Sequence, residues 1–354
     1  MNSHWIQRVW QCRGLLKILL LLLFLPLSCL YALGVLGRNF FYSVGWKRPR
    51  HLKQFVISIG NLTVGGTGKT PTVVWMAQEL EKRGFTIAVL SRGYARKGTF
   101  PRALTSKLCK DAEELGDEPA MMACLFGLKV AVAKSRYEAA LEISKHDPVD
   151  IFILDDAFQH RQLARDVDLL LLGSDSSGWL LPSGPFREPK RAIRRADVLL
   201  ITGEQNKWQE LIPKDRPGLA FQGSLQPSAL IGFESRRWKE YPLGLLAGRK
   251  ITAVTAIANP QSFYRMISEW EGEIIDVFEF PDHHSYSLHD WQRVNQAARN
   301  ADLVVTTEKD IVKLNRFPFA RKKLLALRVA MVVERGDVLI DTIVGRIHKK
   351  EERI

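Results

Sequence analysis

The sequence predicts an α/β protein with a mostly parallel sheet, a second and smaller α/β lobe, and an N-terminal membrane helix. Short apolar stretches alternate with helical stretches through most of the 354 residues, which is typical of a parallel sheet covered on both faces. A glycine-rich turn joins the first of these apolar stretches to a helix. A run of 20 uncharged residues, 18–37, lies near the N-terminus.

The N-terminal run is rich in leucine, and as a helix it would extend about 30 Å, which matches the core of a bilayer. The first 53 residues carry eight Lys or Arg, and the first acidic residue is Glu79. More basic residues follow the run than precede it, which favours a cytosolic location for the rest of the chain. We expect residues 1–37 to associate with the anionic inner leaflet of a membrane. The sequence leaves open whether this segment spans the bilayer or lies in one leaflet.

Length and composition limit the remaining possibilities. A chain of 354 residues favours two domains besides the N-terminal segment, and we place them at 38–225 and 226–354. The net charge of +13 is concentrated near the N-terminus, and the sequence has no zinc-finger or RNP-like motif, so we expect no nucleic-acid partner. The four cysteines have no paired spacing, which suits reduced thiols in the cytosol.

Strands and helices follow from the hydrophobic pattern. In the first domain we predict strands near 55–60, 86–91, 128–133, 150–155, 167–173 and 197–202, with helices near 71–83, 118–126 and 135–145. In the second we predict strands near 251–257, 273–279, 302–307 and 324–333, with helices near 260–270 and 287–299. Residues 221–248 are rich in Gly, Pro and Ser, and they are the expected boundary.

The turn at residues 60–71 reads Gly-Asn-Leu-Thr-Val-Gly-Gly-Thr-Gly-Lys-Thr-Pro and follows an apolar strand. Backbone N–H groups of such a turn, together with the helix N-terminus behind it, face one point where a phosphate can bind. Lys69 is then expected to reach the β- and γ-phosphates of a nucleotide, and the Thr70 hydroxyl to bind Mg²⁺. The expected nucleotide-binding residues are Gly65, Gly66, Thr67, Gly68, Lys69 and Thr70. This predicts a P-loop NTPase-like fold, although Thr63 stands where the usual spacing has glycine.

Two further patterns place acids where a phosphotransferase needs them. The apolar strand near 150–155 ends in Asp155 and Asp156, which suits a carboxylate that supports Mg²⁺ beside the P-loop. Asp117 directly precedes a predicted helix. A carboxylate at this position can serve a phosphotransferase, but it can also be a simple helix cap. Residues 280–286 gather Asp282, His283 and His284, but they lack the cysteine or spaced histidine pair of a zinc site.

Six segments, in this order, closely resemble the tetraacyldisaccharide 4'-kinase family, whose members phosphorylate the 4'-hydroxyl of the lipid A disaccharide at the bacterial inner membrane. They are residues 60–71, 91–94 (Ser-Arg-Gly-Tyr), 116–119 (Gly-Asp-Glu-Pro), 154–160 (Leu-Asp-Asp-Ala-Phe-Gln-His), 181–188 (Leu-Pro-Ser-Gly-Pro-Phe-Arg-Glu) and 280–283 (Phe-Pro-Asp-His). The resemblance extends from about residue 57 to residue 310 and includes the basic, apolar N-terminus. It implies ATP and Mg²⁺ as cofactors and an acylated disaccharide 1-phosphate as acceptor. The implied location is the cytoplasmic face of the inner membrane, and we expect a monomer.

The resemblance also assigns roles to residues. Lys69 and Thr70 would bind phosphate and Mg²⁺, and Asp155 and Asp156 would complete this end of the site. Asp117 would be the general base, paired with His283. Arg136 would lie near the transferred phosphate, and Thr306–Asp310 would make nucleotide-side or cleft contacts. The implied contacts to the lipid head group of the substrate or to phosphate are Arg92, Tyr94, Gln159, His160, Arg187 and Glu188.

A different class of protein shares part of this pattern. Membrane-associated regulatory ATPases of the partitioning or division-site type also have the Gly65–Thr70 motif. Their signature lysine would stand directly before the double glycine, where this chain has Val64. We keep this class as the alternative function, to be separated by whether ATP turnover needs a glycolipid acceptor.

Overall fold

A computed structural model describes residues 15–93, 102–104, 115–145, 147–175, 177–212, 217–235, 237–320 and 323–352. The chain divides into two compact units. The first unit consists of the residues up to Leu90, of Asp147–Ser224 and of the residues from Val332 on, and the second of Ser91–His146 and Leu225–Met331. Each unit thus combines separate stretches of chain, whereas the predicted domains are continuous. The predicted boundary at residues 225 and 226 lies beside one of the crossings between the units.

The helices and strands are, in chain order, α1 (Leu15–Ser43), β1 (Phe55–Asn61), α2 (Lys69–Lys82), β2 (Ile87–Ser91), β3 (Arg102–Leu104), α3 (Asp117–Phe126), β4 (Lys129–Val132), α4 (Arg136–Ser144), β5 (Ile151–Leu154), β6 (Val167–Leu172), β7 (Val198–Ile201), β8 (Ala220–Glu234), β9 (Arg237–Tyr241), β10 (Lys250–Thr255), α5 (Pro260–Glu269), β11 (Glu273–Glu279), α6 (Leu288–Ala297), β12 (Leu303–Thr307), α7 (Glu308–Leu314), β13 (Leu324–Val333) and α8 (Gly336–Glu351). Each predicted strand and helix corresponds to one of these elements, with bounds that differ by at most two residues.

The first unit contains a parallel sheet in the order β7, β6, β1, β5 and β2, and the start of β8 continues it beside β7. Ile57 of β1 pairs with Ile153 of β5 on one side and with Val167 of β6 on the other. All residues of β1 and β6 are buried, as expected for a sheet that is covered on both faces. Because β1 and β5 are parallel neighbours, the turns that follow them lie at the same edge of the sheet.

The second unit has its own parallel strands, in the order β11, β10, β12 and β13. The end of β8 forms an antiparallel hairpin with β9, and β3 pairs antiparallel with β4. The core of this unit includes the buried side chains of Leu230, Ile251, Ile267 and Val305. The 15-residue strand β8 lies in the stretch expected as a boundary. Its segment from Ala229 to Ile231 is buried, and this burial outweighs the local preference of Gly, Pro and Ser for loops.

The end of β1 packs tightly against the loop after β5. A Cβ atom built on Gly60 would lie 2.7 Å from both the N and Cβ atoms of Phe158. Real Cβ atoms do not approach backbone atoms this closely, so only glycine fits here without a shift of one of the two segments. This contact holds the two turns at the edge of the sheet together.

We expect Gly60→Ala to lower the free energy of unfolding by about 1–3 kcal/mol, because the new methyl group overpacks a rigid contact. The matched control is Gly244→Ala, since nothing lies within 4 Å of a Cβ built on Gly244. The control is expected to change stability by less than about 1 kcal/mol. Urea unfolding of the detergent-solubilised protein measures both. Equal midpoints for the two variants would contradict the close approach.

Candidate active site

The turn between β1 and α2 has the backbone geometry of a phosphate-binding loop. Gly65 has φ 127° and Gly68 has φ 83°, conformations that residues with a side chain rarely adopt. Nothing lies within 4 Å of a Cβ built on Gly65 or Gly66, so the space beside their backbone is open. Helix α2 starts at Lys69 and directs the positive end of its dipole to the same place. This loop can therefore cradle an anion.

Side chains of the neighbouring strands and loops hold this turn in place. The buried Asn61 donates from Nδ2 to Thr67 Oγ1 at 2.9 Å, and the Thr202 hydroxyl donates to the Thr67 carbonyl at 3.2 Å. Gln159 in turn donates to the Asn61 carbonyl at 2.9 Å. Neither Asn61 nor Thr202 is among the predicted site residues, because their role follows only from the fold, which brings both side chains to Thr67.

A carboxylate between two cations lies beside the loop. Arg187 donates to both carboxylate oxygens of Asp156, at 2.8 and 2.9 Å, and Lys69 Nζ lies 3.8 Å from Asp156 Oδ1. Asp156 itself has the unusual φ of 47°, which is typical of strain at functional sites. The structure thus brings together Lys69, Asp156 and Arg187, which come from three separate sequence motifs. This arrangement places two positive charges where phosphate oxygens would bind.

The predicted magnesium ligands are all oxygen donors of the first unit. Thr70 is the second residue of α2, and Asp155 directly follows β5 with its side chain almost fully buried. A hydroxyl and a carboxylate are the donors that Mg²⁺ prefers, so the chemistry of Thr70 and Asp155 fits this ion. Asp156, the third predicted ligand, already has Arg187 and Lys69 as partners.

Glu188, predicted to contact the substrate, instead has a fully buried carboxylate with three donors around it. Arg195 donates to Oε2 at 2.6 Å, and Arg38 and Asn39 of helix α1 donate to Oε1 and Oε2 at 2.9 and 3.0 Å. Burial alone would raise the pKa of Glu188, but these hydrogen bonds and charges outweigh it and lower the pKa below its usual value. Glu188 is therefore an ionised anchor for α1, and contact with a substrate would require it to leave these partners.

The second unit contains the predicted acid–base pair. His283 Nδ1 lies 3.2 Å from Asp117 Oδ2, so the two residues are within hydrogen-bond distance although 166 positions separate them. Asp117 is the first residue of α3, where the helix dipole favours the ionised carboxylate. His283 has a φ of 62°, a conformation uncommon for a residue other than glycine. The fold of this unit thus brings the pair together, and a strained backbone holds the imidazole.

Two lysines of helix α7 complete this group. Lys313 Nζ lies 3.0 Å from Asp117 Oδ2, and Lys309 Nζ lies 2.8 Å from Asp282 Oδ1 and 3.3 Å from His283 Nε2. Burial alone would raise the pKa of Asp117, but the hydrogen bonds from His283 and Lys313 and the charge of Lys313 outweigh it and lower the pKa. The motif at 306–310, expected to make nucleotide-side or cleft contacts, contributes Lys309 to this group. Lys309 and Lys313 are four positions apart, so a helix places both on one face, and this spacing was the signal available in the sequence.

The remaining predicted residues occupy different positions. His160 lies one residue beyond Gln159 in the loop after β5, and the guanidinium of Arg165 donates to its carbonyl at 3.2 Å. Arg136 is the first residue of α4 in the second unit and is buried. Arg92 is exposed directly after β2. Tyr94 lies outside the described residues.

A parallel sheet with a glycine loop, a lysine and threonine at the following helix, and an acid after the neighbouring strand is typical of the P-loop NTPase-like class, which includes kinases and ATPases. The sequence model of the family described as Tetraacyldisaccharide-1-P 4'-kinase matches residues 20–347. The chain belongs to this family.

Individual relatives agree with this assignment. A tetraacyldisaccharide 4'-kinase of Syntrophus aciditrophicus is 38% identical over 312 residues, which cover 81% of this chain and 82% of the relative. The one of Geobacter sulfurreducens is 37% identical, with 86% and 87% covered. The crystal structure of LpxK from Aquifex aeolicus in complex with ATP superposes with a TM-score of 0.78 at 32% identity, covering 93% of this chain and 99% of that one.

These similarities confirm the fold class and the family expected from the sequence. The chain is an ATP-dependent kinase that phosphorylates the 4'-hydroxyl of a tetraacyldisaccharide 1-phosphate in lipid A biosynthesis. The alternative class, a regulatory ATPase of the partitioning type, is not favoured.

Proposed function

We propose that the first unit binds the phosphates of ATP in the Gly65–Thr70 loop, and that Lys69 and Arg187 exchange the Asp156 carboxylate for phosphate oxygens. This proposal rests on the position of Asp156, which forms ion pairs with both cations beside an open glycine loop. A phosphoryl group spreads negative charge over its equatorial oxygens during transfer, and preorganised cations stabilise that charge. Arg136 is proposed to add a further positive charge near the transferred group.

In the transfer itself, the acceptor oxygen forms a bond to the γ-phosphorus while the bond between this phosphorus and the bridging oxygen of ADP breaks. The proton of the acceptor hydroxyl passes to Asp117, which is ionised because its pKa lies below the usual value. Thr70 and Asp155 would hold Mg²⁺, which would supply positive charge beside the phosphates. Asp156 would serve mainly to position Lys69 and Arg187. Arg92, Tyr94, Gln159 and His160 remain proposed contacts to the head group.

We further propose that helix α1 lies in the plane of one leaflet, at the cytoplasmic face of the inner membrane. The helix is apolar enough to cross a membrane, with mean hydropathy 1.4 over Leu22–Ser43. Its side chains divide into two faces. Ser28, Tyr31, Arg38 and Asn39 hydrogen-bond to residues 180–188 of the first unit, whereas leucines such as Leu23 and Leu33 are two-thirds exposed. Only the second face is available to lipid.

The length of the helix supports this orientation. The uncharged run begins at Ile18, and the polar contacts to the first unit begin at Ser28. The segment between them has ten residues, or about 15 Å as a helix, which is half of the hydrocarbon core of a bilayer. A helix whose remaining turns are bound to a water-soluble unit cannot cross the membrane with these turns. The exposed Lys47, Arg48 and Arg50 that follow α1 would meet anionic head groups. That the protein acts as a monomer remains a prediction.

We expect Lys69→Ala to abolish formation of a bis-phosphorylated product from ATP, Mg²⁺ and lipid A disaccharide 1-phosphate, because the loop loses its phosphate-binding charge. Asp117→Ala should lower kcat by about 10²-fold or more with little change in KM for ATP. Both variants should retain the wild-type circular dichroism spectrum. Full turnover by Lys69→Ala would refute the role of the loop, and an unchanged kcat in Asp117→Ala would remove this residue as the base.

An impermeant label on the N-terminus tests the orientation of α1. We expect an N-terminal cysteine tag, in a chain whose own cysteines are replaced by serine, to react in inverted inner-membrane vesicles and not in intact spheroplasts. Both ends of an in-plane helix lie on the cytoplasmic side. A C-terminal tag serves as the control for the cytoplasmic side. Labelling of the N-terminal tag in spheroplasts would show that the helix spans the membrane.

A further inference from the structure

The two ring nitrogens of His283 have different neighbours. Nδ1 faces the Asp117 carboxylate, and Nε2 lies 3.3 Å from Lys309 Nζ. An ammonium group has three donors and no acceptor, so Nε2 must accept from Lys309. Nδ1 then carries the hydrogen and donates it to Asp117 Oδ2. The nearest carboxylate oxygen to Nε2, Asp282 Oδ2, is 3.8 Å away, beyond hydrogen-bond distance, and Asp282 Oδ1 is bound to Lys309.

Lys313 approaches the same oxygen of Asp117 from another side. Its ammonium has three acceptors within reach: Asp117 Oδ2 at 3.0 Å, the His284 carbonyl at 2.9 Å and Asp310 Oδ1 at 3.4 Å. Lys313 is largely buried and Asp310 is fully buried, so the position of the Lys313 ammonium is well defined. Among the described residues, the donors to Asp117 therefore converge on Oδ2. Oδ1 is the oxygen left to accept a proton.

We propose that Lys309 and Lys313 are positioning residues for the base: Lys309 fixes the Nδ1–H form of His283, and Lys313 and His283 together turn Oδ1 of Asp117 to the acceptor hydroxyl. This inference rests on the proposed role of Asp117. The titratable groups that face Asp117 are His283 from the loop after β11, Lys309 and Lys313 from α7, and Asp310 behind Lys313. Glu118 and Asp282 act on Lys309, whose pKa burial would lower but these charges raise.

Kinetics separate positioning from a structural role. Lys309→Met and Lys313→Met should each lower kcat about tenfold or more, with KM for ATP within about twofold of wild type. In Lys313→Met the acid limb of the pH profile of kcat should also move to higher pH, because the Asp117 carboxylate loses a partner that favours its ionised form. Lys313→Arg keeps the charge and should restore the wild-type limb. Lys239→Met, at an exposed lysine of the same unit, is the matched control. An unchanged kcat and pH profile in both Met variants would overturn the proposal.

A second measurement needs no turnover. In protein labelled with ¹⁵N-histidine and assigned with a His283→Gln variant, Nδ1 of His283 should show the shift of a protonated nitrogen and Nε2 that of an unprotonated one. Lys309→Met should mix the two forms. The Nε2–H form in the wild type would contradict the proposal even if the kinase assay succeeds. The expected spectrum together with an unchanged kcat in Asp117→Ala would leave the form of His283 intact and refute the role of Asp117 as the base.

A different set of contacts links helix α1 to the phosphate site. Residues 180–188 pair with the P-loop entry through hydrogen bonds from Val64 N to the Pro185 carbonyl and from Arg187 N to the Leu62 carbonyl, at 2.8 and 2.7 Å. On the other side, the Tyr31 hydroxyl donates to the Arg187 carbonyl at 2.9 Å, and Asn39 donates to the buried carboxylate of Glu188. The guanidinium of Arg187 then holds Asp156. One short segment therefore has the membrane-facing helix on one side and the P-loop on the other.

We infer that the seat of α1 on this segment positions Arg187, so that the membrane helix also sets the geometry of the phosphate site. The inference rests on the proposed phosphate role of Arg187. A combined Tyr31→Phe and Asn39→Ala variant removes two of these hydrogen bonds without changing the charge or the apolar face of the helix. It also leaves Arg38 and Arg195 on Glu188. We expect it to bind anionic vesicles as the wild type does, but to bind a fluorescent ATP analogue about threefold to tenfold more weakly.

The matched control is Ser43→Ala, since the exposed Ser43 hydroxyl donates only to the Phe40 carbonyl within the same helix. Unchanged affinity for the ATP analogue in the double variant would overturn this coupling. Weakened vesicle binding, together with weakened nucleotide binding in detergent, would show that the whole helix had detached. In that case the single Tyr31→Phe variant is the deciding test, because it removes only the contact to the Arg187 carbonyl. Failure of the wild type to bind the analogue at the P-loop would instead refute the proposed function.

Discussion

The carboxylate of Asp156 is the interaction on which the phosphate site of the first unit depends. It holds Lys69 from the start of helix α2 and Arg187 from the 180–188 segment, and both cations would otherwise repel each other. Burying part of each charge is tolerated because the carboxylate partly offsets the two positive charges, and the three groups together keep one net positive charge. A phosphate group that enters the loop can take over the same partners. The site is thus preorganised for a highly charged ligand before the ligand arrives.

Support for this arrangement comes from the surroundings. Asn61 and Thr202 hold the phosphate-binding loop through hydrogen bonds to Thr67. Gly60 allows the loop after β5 to approach the end of β1 closely. The 180–188 segment lies between the P-loop entry and helix α1, and the fully buried Glu188 secures the helix with the two arginines Arg38 and Arg195. Helix α1, which we propose to face the membrane, is consequently part of the folded first unit.

The acid–base group of the second unit follows a different physical rule. Here a single carboxylate, Asp117, has a surplus of positive partners, and its pKa falls despite burial. Such a carboxylate is a weak base, which suits phosphoryl transfer because a loose transition state needs the acceptor proton to leave only late. In the proposed mechanism, the value of the surrounding imidazole and lysines lies in orientation. His283 and Lys313 occupy Oδ2 of Asp117, Lys309 holds His283, and Oδ1 of Asp117 is left for the acceptor hydroxyl.

Local sequence was sufficient for the elements and for the phosphate loop. The alternation of apolar strands and helices predicted the parallel sheet, and Gly65, Gly68, Lys69 and Thr70 predicted the anion site, because these features depend on residues that are close in the chain. The family resemblance supplied Asp117 and His283 as a pair, and the fold places them within hydrogen-bond distance.

Contacts between distant residues were decided by the tertiary structure alone. These include the division of the chain into two discontinuous units, the long strand β8 in a stretch rich in turn residues, the pairing of Arg187 with Asp156, and the contacts of Glu188 with α1. The positions of Lys309 and Lys313 around Asp117 belong to the same class. Such contacts depend on which segments pack together, and no local pattern encodes which distant charged side chain will be the partner: Asp156 is 31 positions from Arg187, and Asp117 is 196 from Lys313.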